Sequence, residues 1–298
     1  MTTRRCFLIL CVALVATACT SAVRTETPVT APRTFTSNDI SVITRGSGPD
    51  VILIHGLAAN TGVWAESAEA LDDRYRLHLV QIHGFGGVPR TSSDSPVTVA
   101  VAREVARYIR ETGLTRPALI GHSMGGTIAM MVAARNPGLA GRVMVVDIVP
   151  FIGVMFGQAD PTPESLRPMA DQIRTQILNG DMLEQMIATM TRSEANRRKL
   201  LQYVNVSDRR TVADAMHELI LTDMRPELAR IDVPLTVLYV QPANVSLPAE
   251  QFDNAMKEMY SNAPGAKLVR IDDSNHYIQL DQPGRFVAAV DTFMGRPP

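Results

Sequence analysis

The run Ala118-Leu119-Ile120-Gly121-His122-Ser123-Met124-Gly125-Gly126 constrains this chain more than any other stretch. An apolar segment meets a serine set between glycines two positions to either side, and an Ala-rich apolar segment, 127–134, follows. Positions without side chains around the serine permit a very sharp strand-to-helix turn. Such a turn exposes the hydroxyl and leaves the next backbone N–H facing the same point. The pattern alone is short enough to arise by chance. Its meaning depends on whether the rest of the chain supplies a base, an acid and donors for an oxyanion.

Strand and helix signals alternate on both sides of that run. Residues 40–44 alternate in polarity and read as a strand, closed by the turn Gly46-Ser47-Gly48-Pro49. Val51-Ile52-Leu53-Ile54 is continuously apolar, as suits a strand buried on both faces of a parallel sheet, and ends at His55-Gly56-Leu57. Further strands are expected at 77–82, 117–120, 142–146, 234–240 and 267–271. Helices are expected at about 64–71, 97–112, 127–134, 248–260 and 283–293. This alternation implies an α/β fold, a mostly parallel sheet flanked by helices. Ligand sites in such sheets lie at the carboxyl ends of the strands, where His55, His83, Ser123 and Asp147 all fall.

From about 161 to 226 no convincing strand is present. Helix-like segments there carry Met169, Met182, Met186 and Met190, with breaks at Asn179-Gly180 and Arg225-Pro226. Flexible Met side chains suit irregular apolar surfaces, so a helical cap over the sheet is expected at about 151–228. Ordinary core packing of an insertion is the alternative.

The N-terminus reads as a targeting segment. Arg4 and Arg5 precede the apolar run 6–15, and Ala16-Thr17-Ala18 ends a signal peptide at 1–18. The arginine pair resembles the twin-arginine export pattern, a chance pair in an ordinary signal being the alternative. Ala16-Thr17-Ala18-Cys19 resembles a bacterial lipoprotein box, which implies a lipid on Cys19 and a place in the periplasm or cell envelope. Otherwise Cys19 is a small residue cleaved off nearby. With Cys6 and Cys11 removed in the signal, Cys19 is the only mature cysteine and no internal disulfide forms. Residues 19–38, rich in Thr, Ser and Pro, read as a flexible tether before a domain at 39–298. The net charge of -1 gives no reason to expect nucleic acid, and membrane association is expected only through Cys19. No two histidines have ligand-like spacing, so no metal is expected.

With the serine turn, His55-Gly56 after an early strand and His276 after the last one, the chain resembles the α/β-hydrolase superfamily over nearly all of the mature length. The chain order Ser–acid–His is that superfamily's. Asn275-His276-Tyr277-Ile278-Gln279-Leu280-Asp281-Gln282-Pro283 is similar to the H-F-x-x-L-x-x-P pattern of its esterase-like members. The resemblance implies Ser123 as nucleophile and His276 as base, with the backbone N–H groups of Leu57 and Met124 as the oxyanion hole. The commonest place for the acid, here 241–246, holds no carboxylate. Some members place it where Asp147 stands, while Glu250 and Asp253 remain alternatives. Gly56, His83 and His122 complete the candidate substrate-binding set, although His122 also suits packing beneath the serine and His55 suits holding its loop.

The implied chemistry is cofactor-free hydrolysis of carboxylic esters by a serine esterase. Lipase or lysophospholipase, thioesterase and lactonase activities are the alternatives, and the cap and envelope location favour medium-chain or lipid-like esters. A catalytically silent binding protein is the alternative from another class, and the presence of both Ser123 and His276 speaks against it.

Overall fold

The computed structural model describes residues 35–91, 96–180, 182–242 and 245–296. The expected signal peptide, Cys19 and the tether as far as residue 34 lie outside the described residues. The folded unit reaches further back than residue 39. Phe35 sets its ring edge-on to Tyr108 with centroids 5.0 Å apart, and the Arg107 guanidinium lies 4.4 Å from the Phe35 ring. Ser37 Oγ accepts the N–H groups of Asp39 and Ile40, capping the turn into the first strand.

Seven strands form one sheet: β1 (Ile40–Arg45), β2 (Asp50–Ile54), β3 (Arg76–Ile82), β4 (Ala118–His122), β5 (Arg142–Val146), β6 (Leu235–Tyr239) and β7 (Lys267–Arg270). Their order is β1-β3-β2-β4-β5-β6-β7, with β1 antiparallel to β3 and every other pair parallel. The helices that connect or flank them are α1 (Ala65–Leu71), α2 (Val97–Glu111), α3 (Met124–Arg135), α8 (Ala249–Met259), α9 (Ile278–Asp281) and α10 (Pro283–Phe293). Four more, α4 (Pro163–Asn179), α5 (Leu183–Ala188), α6 (Glu194–Asn205) and α7 (Arg209–Leu221), lie between β5 and β6.

The strand order explains where a site can form. From β2 the chain crosses to β3 on one side, then returns past β2 to β4 and continues outward to β7. Right-handed crossovers therefore put α1 on one face and α2, α3 and α8 on the other. Consistent with that, α1 packs on α10, while α2 packs on α3. The winding reverses between β2 and β4, which opens a crevice at their carboxyl ends. The apolar side chains of β2, β4 and β5 are almost wholly buried. Each stabilises the fold by roughly 1.5–3 kcal/mol, so loops leaving these strands start from the least movable part of the molecule.

The segment between β5 and β6 is helical, and both of its ends are pinned together. Met224 N–H donates to Pro150 C=O at 2.9 Å, so the chain leaves and rejoins the sheet at one place. α4 begins with a reciprocal Thr162–Ser165 capping box and ends at Gly180, whose φ of 96° suits a residue without a side chain. α4 packs along α7. Lys199 Nζ donates to Gly62 C=O at 2.9 Å and Asp208 N–H to Gly84 C=O at 2.8 Å, tying the helices to the loops after β2 and β3. Among the described residues no helix is long and apolar enough to cross a membrane.

Candidate active site

The serine turn is tighter than its sequence spacing suggests. β4 runs through His122 and α3 starts at Met124, so Ser123 alone makes the reversal. Its backbone has φ 54° and ψ −124°, a region that residues with a side chain rarely occupy and that survives only when the surroundings enforce it. Enforcement comes from glycines. A Cβ on Gly121 would run into the Gly125 backbone, and one on Gly125 into the Ile54 carbonyl. A Cβ on Gly126 would sit 2.8 Å from the Ile148 side chain. Helix α3 can therefore press against β2 and β4 only because these positions are bare. Gly56 serves the same contact from the other side, since a Cβ there would lie 3.0 Å from Ser123 Cβ.

Two backbone amides lie beside this turn, those of Met124 and Leu57. Met124 opens α3, where the first N–H groups of a helix have no partner within it and carry the positive end of its dipole. Leu57 follows β2 across the crevice. Among the described residues neither the Met124 nor the Leu57 N–H has an acceptor.

Asp147 follows β5 in a left-handed conformation, φ 53°. Its N–H donates to Leu238 C=O at 2.8 Å, and its Oδ1 accepts Val240 N–H at 2.9 Å, so the neighbouring strand's end holds the carboxylate on one side. The other oxygen, Oδ2, lies 2.6 Å from His276 Nδ1. That distance is at the short end for an N–H···O bond, in the direction that a charged acceptor favours. Tyr260 anchors the turn after Asp147 by donating to Ile148 C=O at 2.6 Å, and burial together with the Asp147 charge holds its phenol protonated. The alternative acids are placed elsewhere. Asp253 Oδ1 accepts from Tyr239 Oη at 2.8 Å and from Arg270 at 3.1 Å, while Glu250 is exposed on α8.

His276 leaves the loop after β7 and lines, with Ser123, an apolar cavity of about 60 Å³. Leu57 and Ala58 contribute from the core, and Met186, Met190, Met216 and Tyr277 close the other sides. Met169 and Met182, expected with the other methionines over the sheet, pack against the core without lining this cavity. Ala58, Val204, Met216 and Leu219 were not foreseen. Their only sequence signal is membership of apolar helix faces or a short loop, which does not separate cavity wall from core.

The remaining histidines brace the site. His122 is fully buried and sets its ring, tilted, 4.7 Å from that of His276 and 4.3 Å from that of Tyr277. Its Nε2 donates to the His276 carbonyl at 3.0 Å, which leaves Nδ1 bare. Burial, and secondarily the proximity of His276, holds this imidazole well below its usual range, so it stays neutral. His122 thus supports the His276 backbone from below and does not line the cavity. His55 Nδ1 donates to Gly56 C=O at 2.8 Å and Nε2 accepts Ile82 N–H at 3.1 Å, fastening the end of β2 to β3. Burial pushes its pKa down to about 4. His83 faces away from the cavity, its Nδ1 donating to Asn38 C=O at 3.1 Å. The strand-end position that made His83 a candidate lies one strand beyond the crevice between β2 and β4.

A serine elbow at the switch point of a doubly wound sheet, with an Asp–His pair carried by the loops after β5 and β7, defines a class of α/β proteins. The chain belongs to the alpha/beta hydrolase family, whose model matches residues 51–290. A pimeloyl-[acyl-carrier protein] methyl ester esterase of Aeromonas hydrophila subsp. hydrophila is 26% identical over 272 residues, spanning 86% of this chain and 99% of its own. One from Nitrosomonas europaea is 27% identical over 258 residues, spanning 85% and 98%. Among solved structures, the enol-lactonase from Burkholderia xenovorans LB400 superposes with a TM-score of 0.69 at 20% identity, over 86% of this chain and 96% of that one. A thermophilic esterase from Thermogutta terrifontis gives 0.68 at 23% identity, over 86% and 93%. At such identities the structural likeness speaks for the fold.

Proposed function

We propose that this chain hydrolyses carboxylic esters through an acyl-enzyme, with Ser123 as nucleophile, His276 as general base and Asp147 as the acid that orients it. The observation that carries this reading is the 2.6 Å contact between Asp147 Oδ2 and His276 Nδ1. It occupies one ring nitrogen and leaves Nε2 for the serine that shares the cavity. The relatives named as methyl ester esterases support an ester as the substrate class.

Ser123 Oγ attacks the ester carbonyl carbon as His276 Nε2 takes its proton. The oxyanion of the tetrahedral intermediate receives the N–H groups of Met124 and Leu57. Asp147 stabilises the imidazolium, which then gives its proton to the departing alcohol and leaves an acyl group on Ser123. Water deprotonated by His276 attacks that acyl carbon, and collapse of the second intermediate frees the acid and the serine.

The acyl group this site favours is short and uncharged. A cavity of about 60 Å³ has room for about two waters' share of liquid, and its walls are mainly aliphatic and thioether side chains. Medium-chain or lipid-like esters, suggested by the helical insertion, need more room than this, from movement of the insertion or from the apolar cavity of about 330 Å³ that Asp147 and His276 also line. A p-nitrophenyl ester series from acetate to palmitate tests this. Highest kcat/KM at acetate or butyrate is expected, and an optimum at octanoate or longer refutes the closed cavity as the acyl site.

The reading includes export, with Cys19 as the lipid-bearing first residue of the mature chain. Arg4, Arg5, the apolar run and Ala16-Thr17-Ala18-Cys19 support it. Mass spectrometry of the mature N-terminus distinguishes a diacylated Cys19 from an unmodified terminus.

A further inference from the structure

We propose that Asp281 is a positioning residue that locks the helical insertion to the loop carrying His276, so that the cavity cover and the base form one mechanical unit. The inference rests on His276 being the base. Asp281 ends α9, and its carboxylate joins two segments that are remote in sequence. Oδ1 accepts Thr191 Oγ1–H at 2.5 Å and Arg192 N–H at 3.0 Å, both from the connection between α5 and α6. Oδ2 accepts Asn275 N–H at 2.9 Å, from the residue immediately before His276, and shares Arg192 N–H at 3.1 Å.

The bonds around the carboxylate run the same way. Asn275 Nδ2 donates to Thr189 C=O at 2.9 Å, and Tyr277 N–H donates to Met190 C=O at 3.1 Å. Both neighbours of His276 are therefore hydrogen-bonded to the insertion, and Met190 is itself a wall of the Ser123 cavity. Asn196 Nδ2 adds a bond to Leu280 C=O at 3.3 Å. Thr191 is only 1% exposed, so its hydroxyl has no ready exchange with solvent.

The chemistry requires a carboxylate at this point. All the donors are neutral N–H or O–H groups, and they approach both oxygens. An amide offers one acceptor oxygen and turns an NH2 toward a backbone N–H on the other side. Asp281→Asn must therefore give up either the Thr191 hydroxyl bond or the Asn275 N–H bond, leaving the bonds to the Thr189 and Met190 carbonyls to hold insertion and loop together less firmly.

The test uses the full chain and compares wild type with Asp281→Asn, Thr191→Val and Thr191→Ser. Hydrogen-exchange mass spectrometry should show faster exchange in both 189–196 and 273–281 for Asp281→Asn, with β4 and β5 unchanged. On p-nitrophenyl acetate, kcat per titrated active site should fall roughly tenfold while KM rises severalfold, because positioning of the base and closure over the substrate loosen together. Thr191→Val should act in the same direction and add little in the Asp281→Asn background, while Thr191→Ser, which keeps the hydroxyl, should retain activity. Faster exchange confined to 273–281, or wild-type kcat and KM in a folded Asp281→Asn, would overturn the lock and leave Asp281 as a local cap. Failure of the wild type to turn over any ester would instead sink the esterase assignment, and the exchange comparison would still decide whether the lock exists.

Discussion

Replacing Asp147 by Asn tests the oriented-base arrangement at its most specific point. The carboxylate performs two acceptor duties, to Val240 N–H at 2.9 Å and to His276 Nδ1 at 2.6 Å. Asn has a single acceptor oxygen. If that oxygen stays on Val240, the amide NH2 faces His276 Nδ1 and forces the ring proton onto Nε2. Nε2 then cannot accept the serine proton. If the oxygen turns to His276, two N–H donors face each other at the end of β6. Either way the imidazolium also loses its counter-charge. Loss of tautomer control in a triad of this type lowers kcat by about 10⁴-fold, or about 5 kcal/mol at 1.36 kcal/mol per decade. The near-isosteric change should leave the melting temperature within a few degrees. Initial rates on p-nitrophenyl acetate at pH 8, with circular dichroism as the folding control, measure both. A folded Asp147→Asn within tenfold of wild-type kcat would refute the assignment and move the acid to another carboxylate.

Three further outcomes follow from the geometry. Gly121→Ala should destabilise the fold by about 1–3 kcal/mol or prevent folding, because the new Cβ meets the Gly125 backbone; urea denaturation reads this, and an unchanged midpoint would contradict the turn. Stability should fall as pH drops from about 6.5 toward 4, since the unfolded chain protonates His55 there and the folded chain, with its pKa near 4, does not. That contribution, on the order of 3 kcal/mol, is fully present above about pH 6.5, and His55→Asn should flatten this limb in denaturation midpoints measured at pH 7 and 5. Met216→Trp should fill the Ser123 cavity and lower kcat/KM for butyrate more than for acetate, whereas equal losses would place the acyl group elsewhere.

Much of the sheet was legible because its strands announce themselves chemically. A strand buried on both faces has no choice but a continuous apolar run, as in Val51 to Ile54, and its partners share that texture. The reversal at Ser123 was legible in kind but not in tightness. The strand extends to His122 and the helix begins at Met124 because Gly121, Gly125 and Gly126 remove atoms that would otherwise hold the two elements apart, and absence of atoms carries no periodic signal. The cavity walls were mostly hidden. Val204, Met216 and Leu219 come from helices whose apolar faces serve core and cavity alike, and only tertiary packing assigns each side chain to one or the other. Polar contacts between distant segments, such as Asp281 with Thr191, leave no local pattern at all.

Reaction of the folded protein with a fluorophosphonate probe bears most directly on the central claim. A serine activated by His276 should be phosphonylated, and peptide mass mapping should place a single adduct on Ser123. The adduct should disappear in Ser123→Ala and form far more slowly in His276→Ala. No adduct on Ser123 in the folded wild type, or labelling that persists undiminished without His276, would contradict the account.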